Sequence, residues 1–423
     1  VTTLETLDFF HDDALIADPY PVLDQMRKID PVLREPVHGV MIVTGYDEAM
    51  AVVSDPDTFS SCTSVTGPIP GFPVPLEGLS DDEVRAAIDR HRDELPFSDQ
   101  LPSFDPPKHT AHRSLLSRLI TPKRLKENEE FMWTLADRVL DPFLANGGGE
   151  FISEVATRFA LLVVADLLGV PEEDHAALTA ELTGDMALGS TDDAVMAHTP
   201  LEHLYARFTD YIADRRNAPR DDVMTGMALA TFPDGATSEV IDVVRVAANL
   251  FSAGQETTVR LLSTALQLLA EDTKLQARLR TTPADIPNFI EECLRFESPI
   301  KGDFRLARAT TTVGGVEIPA GTTLMVHLGA ANRDPRIFDN PGTFDPDRPN
   351  ARRHIGFGRG EHSCIGAPLA RAEGRVLIQR LLERTTDVGV DEAVHGPKHA
   401  RRYTYVPTYI LRGLTALHVR TAR

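Results

Sequence analysis

The sequence predicts a mainly helical fold with a minor β lobe, and three observations carry that reading. Apolar residues recur at spacings of three to five along much of the chain, strand-like runs are few and sit towards the two ends, and proline- and glycine-rich stretches separate them. Of 423 residues, 42% are apolar and 25% charged, which excludes wholesale disorder. A net charge of −20 argues against a nucleic-acid binder, since no pervasive basic field exists to neutralise phosphates. Three cysteines, Cys62, Cys293 and Cys364, are too few for a disulfide framework. The first residues lack the basic-then-apolar pattern of a signal or anchor. The apolar run Phe159 to Leu168 is too short to span a bilayer and carries Asp166. A cytoplasmic location without a membrane anchor is expected.

The elements follow in order. Gly39-Val40-Met41-Ile42-Val43 reads as a short strand before a helix starting near Asp47. Four prolines between Gly67 and Pro75 forbid a regular helix there. Asp105-Pro106-Pro107 opens a helix that sets His109 and Arg113 four apart on one face, with His112 towards its surface. From Ile152, the residues Val155, Phe159, Val163, Val164, Leu167 and Leu168 mark a helix that Gly169 ends, and Pro171 suits the first turn of the next. Another helical pattern runs from about Val243 to Leu269. Glu292 and Arg295 sit three apart on a further helix, where they can pair. Val316–Ile318 and Thr322–His327 read as a hairpin turning on Pro319-Ala320-Gly321. Asn332 to Asn350 reads as a long loop, Val376 to Leu382 as helix, and Tyr409 to Val419 as a strand pair.

Two segments carry chemistry. Phe357-Gly358-Arg359-Gly360-Glu361-His362-Ser363-Cys364-Ile365-Gly366 is a glycine-rich loop that delivers one cysteine to the start of a helix. Helix N-termini stabilise a thiolate through partial positive charge and unpaired N–H groups. Gly358 and Gly360 permit tight turns, and Gly366 leaves room for a flat macrocycle. Zinc is disfavoured, because only His362 lies at ligand spacing from Cys364. The second segment, Ala253-Gly254-Gln255-Glu256-Thr257-Thr258, lies inside the long helical pattern, where a glycine and two threonines are poor helix formers. The Thr257 hydroxyl can bond back to the carbonyl of Ala253 and bend or open the helix. A carboxylate beside an alcohol is suitable for relaying protons.

The cysteine loop resembles the haem-ligand signature of the cytochrome P-450 family, and the resemblance extends over nearly the whole chain. It implies one domain over residues 1–423, overriding the two or three that length alone suggests, with haem b between the central helix and the helix after the loop. It assigns Cys364 to the iron, where a thiolate favours O–O cleavage, with Phe357, Gly358 and Gly366 around it. Ala253 and Gly254 become the oxygen-side haem contacts, and Glu256 and Thr257 the acid–alcohol pair. His109, Arg113, Arg305 and His362 become propionate contacts, with His354 a further candidate. Glu292, Arg295 and Arg348 form a buried structural trio.

The implied reaction inserts one atom of O2 into an organic substrate. Phe72, the stretch Met186 to Met196, Leu250, Ala253, Ile300, Phe304 and Tyr405 are the expected pocket, largely apolar, so a lipid, terpenoid or steroid-like substrate fits. Lys301 is either a head-group contact or a solvated lysine. With no flavin or iron–sulfur motif in the chain, electrons are expected from a ferredoxin and its reductase, docking over Lys108, Arg118, Lys123, Arg124, Arg352, Arg353 and Arg359. A peroxide-driven hydroxylase would share the fold and ligand but tends to lack the acid–alcohol pair. A non-catalytic haem sensor or carrier has no need of it.

Overall fold

The computed structural model describes residues 4–116, 119–181 and 201–423. Helices dominate it, and their apolar faces meet in one large cluster. At its centre runs the 31-residue helix Val240–Ala270, whose buried positions, such as Val243, Ala247, Leu250, Leu261 and Leu269, contact several partners at once. Thr157–Leu168, Glu202–Asn217 and Ala367–Glu383 pack directly on it. Each fully buried leucine or valine there contributes about 1.5–3 kcal/mol. Gly169, with φ 76°, ends the helix at Leu168 as the sequence predicts.

The β lobe is a five-stranded sheet in the order Val32–Arg34, Met41–Val43, Thr323–Val326, Asp303–Ala307, Phe59–Ser60. Met41–Val43 runs parallel to Thr323–Val326 with Val43 opposite Val326, and the other pairs are antiparallel. A three-stranded sheet joins Gly148–Glu150 and Asp387–Val390 to His418–Ala422.

Two strand expectations need correction. Val316–Ile318 pairs backwards with Thr311–Val313, not forwards with Thr323–Val326. The turn is Gly314-Gly315, both at positive φ (59° and 87°), and glycine is the residue that reaches such angles without strain. The Pro319 turn therefore only passes the chain on to the larger sheet. Near the C-terminus, the residues before His418 form isolated bridges, Ile300 with Leu411 and Tyr405 with Leu414, in place of a strand pair.

The loop from Asn332 to Asn350 has no regular structure and is held by charge. Glu292 accepts from Arg295 Nε and Nη2 at 2.7 Å each, from Arg348 Nε at 3.1 Å to both oxygens, and from the N–H of Asp345 at 2.9 Å. The two guanidinium groups also donate to carbonyls of Asn332, Pro341, Thr343 and Asp339, so the trio pins the loop to the helix Ile286–Phe296.

Candidate functional site

The cysteine loop folds by its own hydrogen bonds. The N–H of Cys364 donates to the carbonyl of Phe357 at 2.8 Å, and that of Gly358 to Ile355 at 2.8 Å. Gly358 and Gly360 have φ of 65° and 67°, and a side chain at Gly360 would meet the carbonyl of Val53 at 2.7 Å. The loop hands Cys364 to the helix Ala367–Glu383, with Gly366 at its N-cap. Burial pushes the Cys364 thiol up, while the N–H groups of Gly366 and Ala367 and the cations Arg113 and Arg371 pull it the other way. Although deep among protein atoms, its side chain is accessible, unlike those of Cys62 and Cys293. Phe357 packs beneath Arg371, whose guanidinium lies 4.7 Å from the ring centre.

Beside the loop lies a group of cations and imidazoles. The His109 and His362 rings stack at 3.9 Å, and Arg113 Nη2 donates to the carbonyl of Ser363 at 2.7 Å. Burial, reinforced by neighbouring arginines, pushes His109 down to about 4 and His362 to about 3, so both rings are neutral at pH 7. Arg305 is buried and paired with Asp303 at 2.8 Å. His362 Nε2 meets Ser61 Oγ at 3.1 Å, whereas both ring nitrogens of His109 are buried without a hydrogen-bond partner.

Sequence reasoning missed the hub of this cluster. Asp105 receives Ser60 Oγ at 2.6 Å, the N–H of Ser61 at 2.7 Å, Arg92 at 2.8 Å and Arg308 at 2.5 Å, while its carbonyl takes the N–H of His109. A carboxylate next to two prolines at a helix start was the available signal.

The central helix presents Leu250, Ala253 and Thr257 along one stripe, with Ala253 exposed. Thr257 Oγ1 donates to the carbonyl of Ala253 at 2.8 Å, the bond anticipated, yet the helix continues unbroken to Ala270. Glu256 pairs with Arg260 at 2.8 Å, and Arg260 also donates to the carbonyl of Leu414. Thr258, which the sequence did not single out, donates to the fully buried Glu373 at 3.2 Å, whose carboxyl burial raises well above its ordinary range. Gly254 belongs to packing: a side chain there would meet Val164 at 2.8 Å, so it permits close approach of Thr157–Leu168.

Other expected residues are engaged elsewhere. Phe304 is fully buried with Phe10 and Tyr409, because strand alternation turns it away from its neighbour Arg305. Tyr405 lies under Arg412 at 3.7 Å. Phe72 packs against a small cluster that includes Leu76 and Val84, and Ile300 packs against two others, one around Val43 and Val326 and one around Phe10 and Phe304. Lys301 is not solvated: its ammonium donates to the carbonyl of Thr408 at 2.6 Å. His354 is buried on Glu291 at 3.0 Å, and His112 packs between Phe104 and Phe232. Among the expected docking cations, Lys123 and Arg352 project outwards (88% and 71% exposed). Arg124 turns inwards to Asp166, and Lys108 lies over Phe104. Arg353 lies 6.0 Å from the Tyr46 ring, while Arg359 is exposed beside the carbonyl of His354. Arg118 and Met186 to Met196 fall outside the described residues.

The donors present fit a haem. An accessible thiol is the soft ligand that iron accepts, and the unpartnered His109 nitrogens with Arg113 suit carboxylates. Among the described residues no helix is long and apolar enough to cross a membrane.

Comparison with known proteins agrees with this chemistry. A family model described as cytochrome P450 matches residues 286–386. Cytochrome P450 144 of Mycobacterium tuberculosis is 33% identical over 399 residues, 91% of this chain and 87% of that protein. The cytochrome P450 monooxygenase PikC of Streptomyces venezuelae is 31% identical over 413 residues, 96% of this chain and 92% of that protein. The structure of substrate-free cytochrome P450 CYP150A6 from Mycobacterium marinum superposes with a TM-score of 0.93 at 54% identity, covering 99% of each chain.

Proposed function

This chain belongs to the cytochrome P450 monooxygenases, and from that premise we propose that it inserts one oxygen atom of O2 into a hydrophobic lipid, terpenoid or steroid-like molecule. The observation that carries the reading is an accessible Cys364 at the start of the helix Ala367–Glu383, which packs on the central helix that carries Ala253 and Thr257. Haem b, when bound, supplies the activation of O2. Cys364 would ligate its iron, and Arg113, Arg305, His109 and His362 would hold its propionates. The neutral imidazoles offer N–H donors and the arginines offer charge.

Thr257 keeps its hydroxyl hydrogen on the carbonyl of Ala253, which leaves its oxygen lone pairs free to accept a proton donor or a water. Glu256, once protonated from solvent, would pass that proton towards the hydroxyl and take another from water, and its carboxylate rests on Arg260 at 2.8 Å. Ala253 presents exposed apolar surface suited to a hydrophobic substrate, with Leu250 buried one turn before it. Electrons would come from a ferredoxin and its reductase, docking over Lys123, Arg352 and Arg359. The whole chain acts as one domain, a reading supported by the pairing of Gly148–Glu150 with His418–Ala422 and of Met41–Val43 with Thr323–Val326.

An absorbance titration of the purified ferric protein with fatty acids, terpenoids and steroids tests this. A thiolate-ligated haem spectrum that one of these classes converts to high spin supports the assignment. A protein that takes up no haem overturns it, and turnover on peroxide alone, with none from reduced ferredoxin and O2, replaces the O2 route with a peroxide one.

A further inference from the structure

Far along the chain from the cysteine loop, three metal-ligating side chains converge where the N-terminal segment meets the turn between the first two strands. His11 Nδ1 lies 2.9 Å from Asp8 Oδ2, and His38 Nε2 lies 3.1 Å from Asp8 Oδ1. All three ligand atoms fall within 4.8 Å of one another. The surroundings hold them there. Asp8 and His11 share a turn closed by the N–H of Asp12 on the carbonyl of Asp8 at 3.0 Å. The N–H groups of Val37 and His38 donate to the two oxygens of Glu35 at 3.0 and 2.7 Å, fixing the turn that carries His38. The His38 ring stands edge-on to Phe10 at 5.3 Å, and the N–H of Phe10 donates to Asp8 Oδ1 at 3.2 Å. Phe10 is itself anchored in the core.

Two imidazole nitrogens and one carboxylate oxygen form a donor set that suits Zn2+ and disfavours the all-oxygen preference of Ca2+ or Mg2+. Bonds of about 2.0–2.2 Å around a tetrahedral ion place donors roughly 3.3–3.6 Å apart, a spacing that atoms within 4.8 Å of one another reach by side-chain rotation. The side chains are 23–34% exposed, which leaves the fourth position open to water. We propose that Asp8, His11 and His38 form a Zn2+ site, completed by solvent, that clips the N-terminal segment to the turn between the first two strands. The clip bears on the core of the five-stranded sheet, since Phe10 packs on Phe304, which precedes Arg305 in its strand.

The test uses the haem-loaded protein without an affinity tag, titrated with Zn2+ in competition with a chromophoric chelator. One saturable equivalent is expected, together with slower proteolytic cleavage of the N-terminal segment when Zn2+ is present. His38→Ala and His11→Ala should each weaken binding by more than about tenfold. His399→Ala, at an exposed position elsewhere, should not. The haem spectrum reports that each variant is folded; if His38→Ala loses haem, Asp8→Asn decides in its place. No saturable binding, or wild-type affinity in folded His38→Ala or Asp8→Asn protein, overturns the site.

Discussion

Replacing Glu292 by glutamine keeps the shape of the side chain but removes the one negative charge that two buried guanidinium groups share. Glu292 and Arg295 are fully buried, and Arg348 is 4% exposed, so water cannot take over. Stranding buried charge in this way costs about 3–5 kcal/mol. The lower end applies here, because Arg295 and Arg348 keep carbonyl partners at Asn332, Pro341, Thr343 and Asp339. About 3 kcal/mol is a large share of a typical 5–15 kcal/mol stability. Urea denaturation of the haem-loaded protein, followed by far-UV circular dichroism, reads this directly. Arg138→Ala serves as the contrast, because the Arg138–Glu172 pair is 50% and 74% exposed and should contribute only about 0–1 kcal/mol. Adding Arg348→Met to Glu292→Gln removes one orphaned charge, so the double variant should recover part of the loss. A Glu292→Gln cost below about 1 kcal/mol, or strict additivity in the double variant, would refute the reasoning.

Two further outcomes follow from the same geometry. Burial, assisted by Arg412, holds the Lys301 amine down to about 7 from its ordinary 10.5. Between those values the unfolded chain binds a proton that the folded chain does not, so stability rises with pH across the window and the penalty is full below it. Lys301→Met should therefore stabilise most at about pH 6 and less at about pH 9, and a gain that grows with pH would contradict the assignment. Separately, Arg359→Glu should slow stopped-flow reduction of the haem by ferredoxin while leaving substrate-induced spectral shifts intact; unchanged reduction would remove the docking surface.

How much could be read from the sequence depended on whether the partners lie near one another in it. The cysteine loop was legible because its chemistry is local: glycines at positive φ and a helix start lie within ten residues of Cys364. Glu292 and Arg295 were legible at a spacing of three. Arg348 was not, because Glu292 reaches it across 56 residues, and only family resemblance suggested it. Asp105 escaped for the same reason, as its partners Ser60 and Arg308 lie 45 and 203 residues away. Phe304 was misread although the needed rule was present. If Arg305 faces the histidine pair, a period of two sends Phe304 to the opposite side. Gly254 shows the reverse difficulty, because a helical glycine for ligand access and one for helix packing look identical until Val164 is placed against it.

If haem binds beside the loop as proposed, the charges there favour its anionic propionates. Asp303 already pairs with Arg305, and Asp105 is occupied by Arg92 and Arg308. His109 and His362 stay neutral, each kept so by burial and by the arginines around it. Among the described residues, Arg113 has no carboxylate within ion-pair distance; its guanidinium donates to the carbonyl of Ser363, one residue before the ligand. Arg113 thus brings charge that no carboxylate among the described residues offsets, and it also favours the negative form of the thiol. One guanidinium can therefore both attract a propionate and steady the thiolate, which ties the two ends of cofactor recognition to a single side chain on the helix that Asp105 anchors.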